Sequence, residues 1–383
     1  MQNLNIMISS TPDLKSEYQL PASIPQLDCL RGLAILLVLI CHVAPALPVP
    51  LSSLALQGWI GVDLFFVLSG FLITGILWDT RDKKSYFRRF YGRRILRIWP
   101  AYAVVLACAF CIVPLLKGIL GGLVLQVRTE PLGLWAYLLM IQNLFAESLS
   151  VSVILHATWS LAIEEQFYLV WPAVIRYASR RVLFPCLIAG FVLAPFLRML
   201  AMDLDIPQIT IYMNPLVHGD GLLCGAMTAI WLRSTRPRRR TLLLIGVALL
   251  LTGLGLFVPF HPNHVTSQYC SPVVFTAVAL FSSGLLLVAL VSENIGWFLH
   301  RILFMSRTLS FLGFISYSLY LYHPFLVLLG INEKLLSMLD LWHHPRLTEG
   351  LTVALGLGLG ILLAWVSRVT LERAALSKKS IFG

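Results

Sequence analysis

Long apolar stretches follow one another along most of the chain, and glycines, prolines or charged residues bound each of them. A helix needs about 20 consecutive apolar residues to cross the hydrocarbon core of a bilayer. By that measure the pattern predicts ten membrane-spanning helices. They cover residues 27–45, 58–78, 98–116, 159–176, 182–200, 216–232, 241–260, 273–291, 310–330 and 351–371. The predicted fold class is therefore an all-α membrane protein.

One further apolar segment, 134–145, is too short to span the membrane. Its roughly 12 residues are typical of a re-entrant or interfacial segment. Counting it as a full span would also invert the orientation of every later helix. We therefore predict that it enters or lies on the membrane without crossing it.

The distribution of positive charge supports this count. With the N-terminus on the cytoplasmic side, only five of the 29 Lys and Arg residues lie outside and the remaining 24 lie inside. Cytoplasmic loops carry such an excess in polytopic proteins. The prediction is a transmembrane domain at 26–373 between two cytoplasmic tails, 1–25 and 374–383.

Composition narrows the classes of function further. Of 383 residues, 58% are hydrophobic and 12% are charged, with a mean hydropathy of +0.82, which excludes a soluble globular protein. The net charge of +11 is explained by the cytoplasmic loops, so we expect the lipid bilayer and no nucleic acid as a partner. The seven cysteines fall mostly in apolar segments, where they pack, and we expect no metal.

Ionisable residues inside the predicted spans are the candidates for function, because charge at membrane depth is costly. Arg31 lies near the inner end of the first helix, and His42 lies eleven residues further out, about 16 Å along the axis. The acids and the other histidines fall toward the outer halves of their helices. They are Asp63, Glu164, Glu165, His218, Asp220 and His323. This depth pattern predicts a polar cavity that opens outward above a basic inner vestibule.

Structural roles are open for each of these residues. A membrane histidine such as His42 often bonds neighbouring helices, and Asp63 and Asp220 are placed to cap helix N-termini. Glu164 and Glu165 are adjacent, so they cannot share a helix face. The arginine run at 88–97 is also a common topology signal.

Five separated motifs resemble those of the acyltransferase-3 group of integral-membrane O-acyltransferases. They are LDCLRG at 27–32 with His42, GVDLFFVLSGFLI at 61–73, YGRRILRIWPAY at 91–102, WSLAIEEQFYLVWP at 159–172 and ISYSLYLYHP at 315–324. Their order covers nearly the whole chain. Cys29 is a departure, because the family usually has a smaller residue there.

The resemblance implies an enzyme that moves an acyl group, most often acetyl, from cytoplasmic acyl-CoA to a hydroxyl. Acceptors in such families are usually extracytoplasmic or lipid-linked sugars, which places the protein in a bacterial cytoplasmic (inner) membrane. Some relatives carry a further hydrolase-like domain, so a glycan-assembly protein is a possible partner for a final transfer.

The resemblance also implies roles for individual residues. Arginines would hold the phosphates of the acyl-CoA, since guanidinium groups bind phosphate oxygens in pairs. His42 would act as general base, with a transient acyl-histidine as the less favoured variant. One of Glu164 and Glu165, with Asp63, would orient that histidine. The expected donor ligands are Arg31, Arg93, Arg94 and Arg97, and the expected acceptor ligands are His323, Tyr317, Trp159 and Tyr168.

Two other functions fit the same buried polar groups. A transporter or flippase of a lipid-linked sugar would use them as a relay, although such proteins usually show repeat symmetry that this chain lacks. A non-catalytic subunit of a glycan polymerase would leave His42 and the inner arginines dispensable.

Overall fold

The structure is a computed structural model that describes residues 14–21, 23–44, 47–115, 132–150, 154–260, 271–294, 300–331 and 345–382. The predicted tail at 1–25 therefore lies partly outside the described residues. Within these ranges the backbone is helical apart from turns and one isolated bridge between Glu17 and Arg238. The all-α prediction is confirmed.

Ten helices of 16 or more residues stand in the described ranges, one at each predicted span. They are α1 Pro25–Val43, α2 Ile60–Thr80, α3 Tyr86–Ala107, α4 Thr158–Tyr177, α5 Arg180–Asp203, α6 Asp220–Thr235, α7 Arg239–Phe260, α8 Val274–Leu290, α9 Arg307–Ile331 and α10 Pro345–Ser367. Six described stretches are long and apolar enough to cross a membrane: Pro25–Val43, Leu51–Thr80, Tyr86–Leu115, Arg180–Asp203, Arg239–Pro259 and Val353–Phe382. The count of ten spans and the placement of the termini stay predictions.

Helix α3 begins twelve residues before the predicted boundary, at Tyr86 rather than 98. The basic residues of 88–97 end the apolar pattern, but arginine is a good helix former and continues the helix without strain. Pro100 lies inside α3 and is accommodated there. The arginine run is therefore part of a helix rather than a loop, and the helix sets the face of α3 from which each arginine side chain projects.

The segment 134–145 forms no long helix. It consists of the short helices Leu134–Leu138 and Gln142–Phe145, and a third short helix, Ala146–Ser150, follows it. Its polar side chains are buried against the protein: Gln142 Nε2 donates to the Thr158 carbonyl oxygen at 3.0 Å, and Asn143 Nδ2 donates to that of Met213 at 3.1 Å. Irregular backbone is tolerated at membrane depth only where protein satisfies it in this way.

Helices α1 and α9 run parallel with their backbones in close contact, and α2 and α6 pack in the same manner. A Cβ on Gly32 would overlap the Leu309 carbonyl group of α9, and one on Gly225 would overlap the backbone of α2 at Val67. Small residues permit such close helix packing in membranes. These contacts hold α1, α2, α6 and α9 together.

Gly225→Ala is expected to lower the thermal unfolding midpoint, because the new methyl group must separate α6 from α2 at a cost of about 1–3 kcal/mol. The matched control is Gly255→Ala on α7, where an added Cβ meets no atom within 4 Å. Unfolding in detergent, followed by tryptophan fluorescence, measures both. Equal midpoints for the two variants would contradict the packing argument.

Candidate functional site

A cavity of about 330 Å³ lies between α1, α2, α3, α4 and α9. Its polar lining comes from five helices that are far apart in sequence. The polar groups are Arg31, Ser69, Arg94, Arg97, Ser160, Glu164, Tyr168, Ser316, Tyr317 and Tyr320. Leucine, isoleucine and phenylalanine side chains complete the wall. The cavity thus has arginines at one end and a largely apolar wall along the rest of its length.

Arginines line one end of the cavity, which is the inner end in the predicted topology. Arg31 is paired with Asp28, with 2.8 Å between Nη1 and Oδ1. Arg94 lies over the rings of Phe90 and Tyr168, at 5.9 and 5.6 Å, whereas Arg97 faces the cavity beside it. Within the described residues neither Arg94 nor Arg97 has a hydrogen-bonded or ion-paired acid, although both are largely withdrawn from solvent. Charges enclosed in this way are costly unless an anion joins them.

Glu164 lies in the middle of the cavity and is held by two hydroxyl groups. Ser69 Oγ donates to Oε1 at 2.8 Å, and Tyr168 donates to Oε2 at 3.0 Å. Glu165 is not among the lining residues, and its Oε1 is buried without a hydrogen-bond partner. The two carboxylates therefore face different sides of α4, and Glu164 is the one that faces the cavity.

Ser160 and Tyr320 close the outer end of the cavity. Their hydroxyl oxygens are 2.5 Å apart, and the Tyr320 hydroxyl also donates to the Ala157 carbonyl oxygen at 3.0 Å. Tyr317, one turn earlier on α9, lines the cavity and donates to the Ile98 carbonyl oxygen at 2.7 Å. These contacts fix both tyrosine rings across the passage.

Three histidines lie beyond this closure. The rings of His42 and His323 meet edge to face with centroids 4.6 Å apart, and the His323 ring is 5.5 Å from that of Tyr320. His156, in the turn before α4, is near enough to both to interact with their charges. Burial, together with the neighbouring His42, lowers the pKa of His156 to about 4. His156 is therefore neutral at physiological pH.

Hydrogen bonds fix the tautomers of the two helical histidines. His42 Nδ1 donates to the Val38 carbonyl oxygen at 2.8 Å, and His323 Nδ1 donates to that of Tyr320 at 2.6 Å. In the neutral rings each Nε2 then carries a lone pair, and His323 Nε2 is buried without a partner. A backbone carbonyl thus orients His42. No carboxylate contacts that ring in the described part of the chain, in contrast to the orienting role expected of Glu164, Glu165 or Asp63.

Asp63 belongs to a second polar cluster away from the cavity. Its Oδ1 is 3.0 Å from His218 Nε2, and both side chains are fully buried. Trp159 stacks on His218 with ring centroids 5.6 Å apart. Nearby, Arg198 and Asp220 form a buried pair at 2.7 Å. The structure therefore places Asp63 and Trp159 in the packing of α2, α4 and α6.

The other predicted ligands lie at different positions relative to the cavity. Tyr168 contacts Glu164 and Arg94, so it lies toward the inner end rather than among acceptor ligands. Arg93 does not line the cavity and lies on another face of α3. His323 lies beside His42, as the shared outer depth predicted.

Sequence reasoning missed Ser160, Tyr320 and His156. Tyr317, Tyr320 and His323 recur every three residues on α9, and this helical spacing could have identified Tyr320 as a third member of the same face. No comparable pattern points to His156, because it lies in a turn. Among the described residues, no group of three or more His, Cys, Asp or Glu side chains is arranged to hold a metal ion.

Comparison with known proteins gives consistent results. A sequence model described as an acyltransferase domain matches residues 24–369. Peptidoglycan O-acetyltransferase OatA of Listeria monocytogenes is 28% identical over 339 residues, which is 83% of this chain and 52% of that protein. O-acetyltransferase OatA of Staphylococcus aureus is 31% identical over 169 residues, 42% of this chain and 26% of that protein. The chain spans about half the length of the Listeria relative. No solved structure matches it.

Proposed function

This chain belongs to the acyltransferase-3 family, and from that premise we propose that it is a membrane-bound O-acetyltransferase. It is an integral multi-pass membrane protein. The proposed donor is cytoplasmic acetyl-CoA, and the proposed acceptor is a hydroxyl of an extracytoplasmic or lipid-linked glycan. Ten spans with both termini cytoplasmic, in a bacterial inner membrane, complete the proposal.

The partly buried guanidinium groups of Arg94 and Arg97 carry this proposal, because no described acid forms a hydrogen bond or an ion pair with either of them. Acyl-CoA bears phosphates at one end and a slender, mostly uncharged arm at the other, and the cavity has the same polarity. Two adjacent guanidiniums suit the diphosphate, because each can donate two parallel hydrogen bonds to phosphate oxygens. Arg31, already paired with Asp28, adds positive potential at the base of the passage.

His42 would supply the base. Its free Nε2 takes the proton of the acceptor hydroxyl while the hydroxyl oxygen bonds to the carbonyl carbon of the thioester. The carbon–sulfur bond breaks, and the leaving thiolate takes that proton from the imidazolium. The Val38 carbonyl, which accepts from Nδ1–H, stabilises the imidazolium formed in between.

The closure at Ser160 and Tyr320 separates donor and acceptor in this scheme. The donor arm enters from the arginines, whereas His42 and His323 lie on the other side of the Tyr320 ring. We therefore expect the Tyr320 side chain to move when the thioester reaches His42. The free Nε2 of His323 would then accept a hydrogen bond from the sugar.

The test is transfer of label from radiolabelled acetyl-CoA in membrane vesicles that contain the host's glycolipids. An alkali-labile labelled ester formed by the wild type would support the proposal. Uptake of a sugar without covalent change would support a transporter instead. If vesicles with verified, folded protein retain no label and form no labelled product, acetyl-CoA is not the donor.

Arg94→Ala and Arg97→Ala are each expected to raise the KM for acetyl-CoA at least tenfold with a smaller change in kcat, since a charge-assisted phosphate contact is lost. Arg240→Ala is the matched control, because Arg240 is an exposed arginine of the predicted cytoplasmic surface that does not line the cavity. Initial rates across acetyl-CoA concentrations give both constants. An unchanged KM in both cavity variants would remove the donor from this end.

A further inference from the structure

The segment that follows α10 continues its helix and packs along the first turns of α3. A π-helical stretch at Arg368–Glu372 joins α10 to Arg373–Ser377 and Lys378–Phe382, so the chain stays helical up to Phe382. The Phe382 ring lies directly on Gly92, where any side chain would overlap it. Arg88 Nη2 also donates to the Ile381 carbonyl oxygen at 3.3 Å. The segment is therefore docked on α3 beside the cavity arginines.

The start of the segment is anchored in the protein interior. Glu372 is 2% exposed, accepts a hydrogen bond from Ser318 of α9, and pairs with Arg368 at 3.0 Å. This anchor sets the direction of the helices that follow. Lys379 consequently lies within charge–charge range of Arg93, Arg94, Arg97 and Arg368.

Lys379 adds positive charge to an already cationic place. It has no ion pair with any described residue, and Glu372, the acid nearest to it in the chain, is occupied by Arg368. An exposed lysine within charge–charge range of four arginines is disfavoured by repulsion, and an anion that joins the group relieves it. The contacts of Glu372 at one end of the segment and of Ile381 and Phe382 at the other hold the segment in place. Lys379 therefore stays near the arginines despite the repulsion.

We propose that Lys379 binds the 3′-phosphate of the donor's adenosine, at the rim of the site whose deeper arginines take the diphosphate. This rests on the proposed acetyl-CoA donor. Lys379 is exposed, whereas Arg94 and Arg97 line the cavity, so Lys379 meets the part of the donor that is furthest from the thioester. In acyl-CoA that part is the ribose with its 3′-phosphate. An ammonium group suits it, because a single terminal phosphate needs a compact point charge more than a planar fork.

The test compares acetyl-CoA with acetyl-3′-dephospho-CoA as donors for the wild type, Lys379→Ala and Lys379→Arg in vesicles. We expect Lys379→Ala to lower kcat/KM for acetyl-CoA about tenfold and to leave that for the dephospho donor unchanged. Lys379→Arg should retain most of the discrimination. Lys378→Ala is the matched control, since it removes the neighbouring exposed lysine of the same short helix.

Each other outcome has a defined meaning. Equal loss with both donors would make the segment a structural support and overturn the proposal, as would an equal effect of Lys378→Ala. Lys379→Ala with wild-type kinetics would also overturn it. If the wild type transfers label from neither donor, the proposed acetyl-CoA donor itself is wrong. If the wild type transfers label equally well from both donors, only the proposed binding of the 3′-phosphate is wrong.

Discussion

His42→Ala is expected to lower the rate of acetyl transfer at least a hundredfold while leaving the KM for acetyl-CoA within about twofold. Removal of a general base typically costs a factor of roughly 10²–10⁴. His42 lies beyond the Ser160–Tyr320 closure and is about 16 Å along α1 from Arg31, so it has no part in holding the donor phosphates. Steady-state rates with radiolabelled acetyl-CoA separate the two constants.

Two control variants make this result specific. His42→Asn keeps an amide group able to donate to the Val38 carbonyl oxygen, so it preserves the local contact but lacks a base, and it should be as inactive as alanine. His300→Ala removes a histidine bonded to Ser292, outside the cavity, and should transfer acetyl at the wild-type rate. Equal labelling by the wild type and His42→Asn would move the base to another residue, with the unpartnered Nε2 of His323, whose ring contacts that of His42, as the first candidate.

The same experiment decides between a general base and an acyl-histidine. A covalent intermediate would leave label on the wild-type protein when the acceptor is omitted, and His42→Asn would abolish that label. A general base leaves the protein unlabelled without acceptor. The free Nε2 of His42 permits either chemistry, so the labelling of the protein itself is the deciding observation.

Depth along each helix could be predicted from the sequence, and facing direction could not. Hydropathy located all ten long helices, and the order of charges along them put arginines inward and histidines outward. Successive residues on a helix differ by about 100° in direction. Asp63 and Ser69, six residues apart on α2, therefore point in directions about 120° apart, and only Ser69 reaches the cavity. Which residues a given helix face contacts depends on which helices pack together in the fold.

Glu164 and Glu165 illustrate the same limit at one turn of α4. The sequence established that they cannot share a face, yet nothing local decides which of them faces the cavity. Ser69 and Tyr168 decide it by donating to Glu164, and Ser69 comes from another helix. His42 was predicted to be oriented by one of Glu164 and Glu165 with Asp63, but the hydrogen bond on its Nδ1 goes to a carbonyl four residues back in the same helix.

Arg198 lies in α5 and has a role that the sequence did not reveal. Its side chain is 1% exposed. It donates to both Asp220 oxygens, at 2.7 and 3.0 Å, and to the Val217 and Pro272 carbonyl oxygens and Thr276. One guanidinium thereby joins α5 to α6 and α8. The cluster lies outside the cavity, so its purpose is structural.

Arg198→Met is expected to destabilise the folded protein by about 3–5 kcal/mol, because it leaves Asp220 buried without its counter-ion. The unfolding midpoint in detergent should fall well below that of the wild type, and Asp220→Leu should act similarly. The double variant should be more stable than either single one, since no uncompensated charge is left. Arg181→Met is the matched control, because it changes an exposed arginine of the same helix.

A second measurement separates this cluster from the site. Folded Arg198→Met should keep the wild-type KM for acetyl-CoA, since none of its contacts lines the cavity. His42→Asn and Arg94→Ala should show the reverse pattern, with altered kinetics and near-normal unfolding midpoints. If the double variant is no more stable than Arg198→Met, the unpaired charge of Asp220 does not destabilise that variant. The buried Arg198–Asp220 pair would then not be the source of the stability.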